Sequence, residues 1–153
     1  MSENINNNEA TDTAVQYIVV KIGNEQYGIN INFIDNIVRM QNITRVPKAQ
    51  VYFKGVINLR GEIIPVMSIR VKLGLEADVF TDKSRIIIIK METGTVGMIV
   101  DEVREVVTLE EENIEKMSYD VTDEKSGFIN GIGKNNDELI SLLDVSAILS
   151  DKE

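Results

Sequence analysis

The chain has 153 residues, 43% of them hydrophobic, with no cysteine, no histidine and a net charge of −9. That length suits one domain or two small ones with a real core. The missing residue types remove disulfides, thiolate chemistry, the commonest general base and the commonest zinc ligand, and the charge disfavours nucleic acid or an anionic membrane as a partner. Residues 1–14 are polar, Asn-rich and aperiodic, and read as a disordered tail. They have neither the basic start nor the apolar run of a secretory signal. Apolar runs elsewhere are too short and interrupted to span a bilayer, so a soluble cytoplasmic protein is expected. The 22 Ile and 17 Val make up a quarter of the chain and favour sheet over helix.

Strand signals begin at Tyr17-Ile-Val-Val-Lys-Ile22, turn at Gly23–Gln26 and return over Tyr27–Ile31. One helical turn is predicted at Asn32–Asp35, then a strand over Asn36–Met40 and a loop from Gln41 to Gln50 containing Pro47. Gly55-Val-Ile-Asn-Leu-Arg-Gly-Glu-Ile-Ile-Pro65 reads as a hairpin turning at Arg60-Gly61, where glycine supplies φ > 0. Pro65 has no N–H to donate, which suggests a sheet edge or a strand end. Ser68 caps a short helix that Gly74 ends. A polar connector covers 75–84, and the run Arg85–Met91 reads as a strand buried on both faces. Thr93-Gly94-Thr95 turns into Val96–Val100, and Thr108-Leu-Glu-Glu111 has the pattern of a capping box opening a brief helix. After a polar loop over 118–127, Phe128–Leu143 form another hairpin and Asp144 caps a helix over Val145–Leu149.

The two halves resemble each other. A displacement of 69 residues lays Gly28–Val38 on Gly97–Val107, matching Gly to Gly and Ile34, Ile37 and Val38 to Val103, Val106 and Val107. A displacement of 76 lays Gly55–Ile69 on Gly131–Val145, with Glu62 on Glu138 and the cap Ser68 on Asp144. Two gapless blocks in the same order imply two similar units of about five short strands, each with a terminal helix. Short strands with tight turns close into small barrels. Each unit is near the lower size limit for a stable core, so the two are expected to share apolar surface as one domain over 15–150. The approximate units are 15–80 and 84–149, with exchange of strands between them allowed. At the central hairpin Asn58-Leu59-Arg60-Gly61 becomes Lys134-Asn135-Asn136-Asp137, and Pro65 becomes Ser141. The fold does not need an arginine at that tip.

Patterns for chemistry are weak. Asp101-Glu102 and Glu110–Glu112 could serve acid/base or cation-binding work, but the latter fit the first turn of a helix. Gly131-Ile-Gly133 lacks the third glycine and the following helix of a dinucleotide loop. Aromatics are 5%, too few for a barrel that stacks nucleic-acid bases. No catalytic residue, metal site or cofactor is assigned. What remains is apolar: some of Ile34, Ile37, Val38 and their repeat counterparts could line a groove where the units meet and receive a partner helix.

Phe53-Lys-Gly-Val-Ile-Asn-Leu-Arg-Gly-Glu-Ile-Ile-Pro-Val66 strongly resembles the CheW family of bacterial chemotaxis coupling proteins. The flanks agree: Tyr27-Gly-Ile-Asn-Ile, Ile-Thr-Arg-Val-Pro47 and Val96-Gly-Met-Ile-Val-Asp-Glu-Val103. The resemblance implies an all-β fold of two five-stranded SH3-like barrels. It implies a non-enzymatic adaptor that couples methyl-accepting chemotaxis receptors to the histidine kinase CheA, cytoplasmic and recruited to receptor arrays at the inner face of the membrane. By matching position, Ile34, Asn36, Ile37, Val38, Val100 and Asp101 would lie on the receptor side, in a groove between the barrels. Asn58, Arg60 and Gly61 would hold the coupling hairpin, and Arg45, Val46 and Pro47 would meet the regulatory domain of CheA. Many family members have Glu where this chain has Asn36, which removes a charge here. The alternatives are a coupler of a non-flagellar pathway (twitching motility or developmental signalling) and, against the charge, a nucleic-acid-binding barrel.

Overall fold

β-branched runs separated by Gly- and Asn-containing turns produce a chain of hairpins. The structure, a computed structural model, describes residues 14–76, 79–116 and 127–149. The expected tail over 1–14 and the polar loop over 118–127 lie outside the described residues, save for Ala14 and Gly127. In the first half come β1 (Val15–Ile22), β2 (Glu25–Asn30), β3 (Ile34–Arg39), β4 (Phe53–Leu59), β5 (Glu62–Ser68) and the helix α1 (Ile69–Lys72). In the second come β6 (Arg85–Met91), β7 (Gly94–Val100), β8 (Glu102–Leu109), β9 (Ile114–Lys116), β10 (Ile129–Asn135), β11 (Glu138–Leu143) and α2 (Val145–Leu149).

Two sheets result, ordered β3-β6-β7-β5-β4 and β8-β1-β2-β11-β10-β9. They form two SH3-like barrels, called here the first and the second, and the protein is mainly β with only short helices. Position for position, β3 answers to β8, β6 to β1, β7 to β2, β5 to β11 and β4 to β10, and β9 is a sixth strand in the second barrel. The parallel pairing at the centre repeats as well: Val66 lies beside Gly97, and Leu142 beside Gly28. This is why glycine recurs there. A Cβ on Gly28 would lie 2.9 Å from Leu142 Cδ2, and one on Gly97 2.7 Å from Ile86 Cγ2.

The sheets do not follow the chain halves. The β1–β2 hairpin joins β8–β11, and the β6–β7 hairpin joins β3–β5. Each barrel is completed by the leading hairpin of the other half, so neither half can close a barrel by itself. The chain crosses between sheets at a 3₁₀ turn, Ile31–Phe33, and again at a bend at Asp101.

Strand alternation divides the core in three. Ile18, Val20 and Ile22 of β1 meet Ile87, Ile89 and Met98 of the first barrel in a layer between the barrels. Ile86 and Ile88 point instead into the first barrel with Ile57, Ile64 and Val66, and Val19 points into the second with Val107, Leu109 and Ile140. The four residues Ile86–Ile89 are at most 1% exposed, so β6 is buried on both faces as its unbroken apolar run predicts. Each such isoleucine contributes about 1.5–3 kcal/mol of burial.

Both caps form: Ser68 Oγ accepts from Val71 N at 3.2 Å, and Asp144 Oδ1 accepts from Ala147 N at 3.1 Å. Gly74 follows α1 at φ +80. The turn expected over Asn32–Asp35 falls at Ile31–Phe33, where Asn30 Oδ1 accepts from Asn32 N.

Two local expectations fail. Thr108 opens no capping box. It belongs to β8, opposite Gln16, because the β-branched run Val106-Val107-Thr108 favours the extended ladder over a helix start. The turn that follows is a 3₁₀ at Glu111–Asn113, with no side-chain cap from Glu110. Pro65 is not at an edge, since β5 lies between β7 and β4. Ser68 N donates to Tyr52 O on the β4 side, so by alternation the nitrogen of Pro65 faces β7. Pairing with β7 begins only at Val66, and no donor is missed there.

Candidate interaction surfaces

β3 opens on the first crossing, and a bulge between Ile34 and Asn36 leaves Asp35 outside the ladder with β6. Ile34 and Ile37 are half-buried against the layer between the barrels, and Val38 against the first barrel's interior. Asn36 Oδ1 accepts from Ile37 N at 2.8 Å, so its side-chain oxygen turns to the neighbouring backbone. Val100 is fully buried and offers no surface to a partner. The cross-strand rows place Ile34 and Val100 at opposite ends of β3. Ile34 lies on the row Ile34–Ile89–Val96, whereas Val100 lies on the row Arg39–Arg85–Val100. Four residues of strand, about 13 Å, part the two rows. Val38, on the row Val38–Ile86–Ile99, is one residue from Val100's row, so β3 runs from Ile34 up to the neighbourhood of Val100 and Asp101.

Asp101 is the joint that follows Val100. Its carboxylate accepts from Arg70 Nε at 3.0 Å, from Arg70 Nη2 at 2.7 Å and from Gly23 N at 2.9 Å, while its own N–H donates to Lys21 O at 3.1 Å. It thus ties α1, the β1–β2 turn and the crossing strand together. Burial acts to raise the Asp101 carboxyl, but the hydrogen bonds from Arg70 and Gly23 and the charges of Arg70 and Lys21 outweigh it and hold the pKa below the ordinary value. The acid that a carboxylate enzyme would have used is locked as a structural anion. Arg70 was not singled out in the sequence because its partner is 31 residues away.

The β4–β5 turn has positive φ at both central residues, Arg60 at 55 and Gly61 at 86. This two-residue turn matches the twist of the flanking strands. Gly61 N donates to Asn58 Oδ1 at 3.0 Å, so Asn58 braces the tip. The equivalent turn in the second barrel places Asn136 at φ 57. Asparagine tolerates that region, whereas arginine occupies it at a cost of about 1 kcal/mol. Arg60 is exposed and held in a backbone conformation that its own side chain does not favour.

Arg45, Val46 and Pro47 line a surface concavity of about 720 Å³ together with Val51, Phe53 and Phe80. Phe80 lies in the stretch 75–84, whose mostly polar composition predicts a connector and hides it. The apolar pair Val79-Phe80 was the signal available.

Two interlocked barrels carry exposed apolar and cationic surfaces, and their best-placed carboxylate serves the fold. They define a protein-binding scaffold. The chain belongs to the CheW-like domain family, whose model matches residues 16–153. It is 38% identical over 141 residues to the chemotaxis protein CheW of Bacillus subtilis, covering 92% of this chain and 90% of that protein. It is 33% identical to the CheW of Helicobacter pylori, covering 92% and 85%. The crystal structure of the scaffolding protein TtCheW from Thermoanaerobacter tengcongensis superposes with a TM-score of 0.82 at 30% identity, covering 91% of this chain and 95% of that one. The protein is a chemotaxis adaptor of this family and not an enzyme. Among the described residues, no helix is long and apolar enough to cross a membrane.

Proposed function

We propose that this protein couples methyl-accepting chemotaxis receptors to the histidine kinase CheA. The observation that carries the reading is the β4–β5 tip. An exposed arginine is kept at a positive φ where the equivalent turn of the same fold has asparagine, and strain of that kind persists where a function requires the side chain. The receptor's helical hairpin takes the face of β3, where Ile34, Ile37 and Val38 supply half-buried apolar contacts and Asn36 adds no charge. Val100 and Asp101 set the angle between the barrels and so shape that face indirectly. Arg60 contacts the receptor–kinase assembly from the hairpin that Asn58 and Gly61 hold. The kinase's regulatory domain meets the surface around Arg45, Val46 and Pro47. Membership of such an assembly would bring the protein to receptor arrays at the inner face of the membrane.

Pull-down with a receptor cytoplasmic fragment and with CheA tests the reading. Binding of both, separately and together, is expected. A folded protein that captures neither would sink it.

A further inference from the structure

Tyr52 and Phe128 are counterparts in the repeat, and each is anchored in the same way. Ser68 N donates to Tyr52 O at 2.7 Å, and Asp144 N donates to Phe128 O at 2.8 Å, so each carbonyl is tied to the helix cap of its own barrel. Tyr52 leads into β4 of the first barrel and Phe128 into β10 of the second, and both side chains pack on the layer between the barrels. One cation joins them. Lys72, at the end of α1, places its Nζ 3.9 Å from the centre of the Tyr52 ring and 5.5 Å from that of Phe128. Both distances lie within reach of a cation–π contact. Among the described residues no carboxylate pairs with this lysine.

The fold does not ask for a cation at this place. The counterpart of Lys72 in α2 is Ile148, which is 1% exposed and belongs to the same layer. An apolar side chain suffices there for packing, and the first half replaces it by an ammonium held between aromatic rings of both barrels. Arg70, two residues earlier in α1, holds Asp101 at the joint, where α2 has Ser146. Beyond Lys72, the Tyr52 ring lies 5.0 Å from that of Phe53, and Phe53 lines the concavity of Arg45, Val46 and Pro47. A run of contacts thus leads from the joint through α1 to the surface assigned to the kinase. A cation–π contact has no fixed register. An ammonium can move across a ring face without breaking a hydrogen bond, whereas a close-packed isoleucine is locked by its neighbours.

We propose that Lys72 is a positioning residue for coupling. It latches the two barrels through Tyr52 and Phe128, and it passes a change in their angle, made at the β3 face, on to the surface around Phe53. Lys72 itself touches neither partner. The proposal rests on the coupling function and adds the residue through which the two faces communicate.

The test compares the wild-type chain with Lys72→Met, which keeps the stem and removes the charge, and with Lys72→Arg, which keeps the cation. The chain has no cysteine, so Glu92→Cys in the β6–β7 turn and Asp137→Cys in the β10–β11 turn, both exposed, give one spin label per barrel. The distance between the labels should be narrowly distributed in the wild type and in Lys72→Arg, and clearly broadened or shifted in Lys72→Met. Without labels, the Kd of Lys72→Met for CheA and for the receptor fragment, each alone, should stay within about twofold of wild type, while receptor control of kinase activity falls at least about fivefold. Lys72→Arg should restore that control. Unchanged distances or unchanged control in Lys72→Met would overturn the role, and so would a loss that Lys72→Arg does not restore. Weaker binding of one partner alone would make Lys72 a contact and overturn it as well. Each of these results leaves the coupling function standing. A wild type that binds neither partner would remove that function, and the proposal with it.

Discussion

Asp101 stands where the chain leaves one barrel for the other, and Asp101→Asn isolates the charge of that joint. The substitution keeps the size of the side chain but weakens the three bonds that Arg70 and Gly23 donate. The ion pair is neither a surface pair nor a buried one, with side chains 20% and 26% exposed. Exposed pairs contribute about 0.2–1 kcal/mol, and breaking a buried pair costs about 3–5 kcal/mol. An intermediate loss of about 2 kcal/mol is expected, which for a chain of this size lowers Tm by about 4–8 °C. Guanidinium denaturation should show a lower midpoint with an unchanged slope, since no surface is newly exposed. The pH dependence gives a sharper check. The folded pKa lies below the ordinary 3.8, so the stabilisation is fully present above that value and is lost as pH falls through the lower, folded one. The gap between wild type and variant should therefore be constant near neutrality and close in strong acid. A cycle with Arg70→Met should show coupling of about 1–2 kcal/mol. A gap below about 0.5 kcal/mol at neutral pH, or one that does not change in acid, would refute the assignment of Asp101 as an anionic brace.

Two other substitutions separate fold from function. Arg60→Ala should leave Tm within about 2 °C, because the side chain is exposed and alanine is no better suited to φ 55, yet reduce receptor control of kinase activity in a reconstituted assay. A large loss of stability would make Arg60 structural. Gly55→Ala should cost about 3 kcal/mol or more, because φ is +143 and the new Cβ would collide with the backbone oxygen of Thr44. Chemical denaturation measures this, and a loss below about 1 kcal/mol would show that the Thr44–Val56 bridge yields easily.

Much of the local structure was legible in advance. The run Ile86–Ile89, the caps Ser68 and Asp144 and the Arg60-Gly61 turn follow from nearest-neighbour chemistry: periodicity, a hydroxyl or carboxylate ahead of a helix, a glycine where φ turns positive. The duplication was legible too, since both copies must satisfy the same barrel and so repeat the same glycines. Thr108 was misread because the capping pattern says nothing about the ladder partner Gln16 waiting 92 positions earlier in the chain. Pro65 was misread because an unused donor direction looks like a sheet edge until the neighbouring strand is seen to end short of it.

The sequence by itself therefore determined most of the strands and turns, though not β8 and β9, together with the repeat and the family, because these depend on residues close together or on motifs kept intact. Only the tertiary structure decided which strands share a sheet. The exchange of the β1–β2 and β6–β7 hairpins leaves no mark in the local pattern, because a strand of either copy fits either barrel. It also decided which charged groups meet: Asp101 with Arg70 across the joint, and Arg45, Lys48 and Lys54 around a shared apolar floor with Phe80. Such meetings depend on where distant segments lie after the barrels close, and spacing along the chain does not encode that.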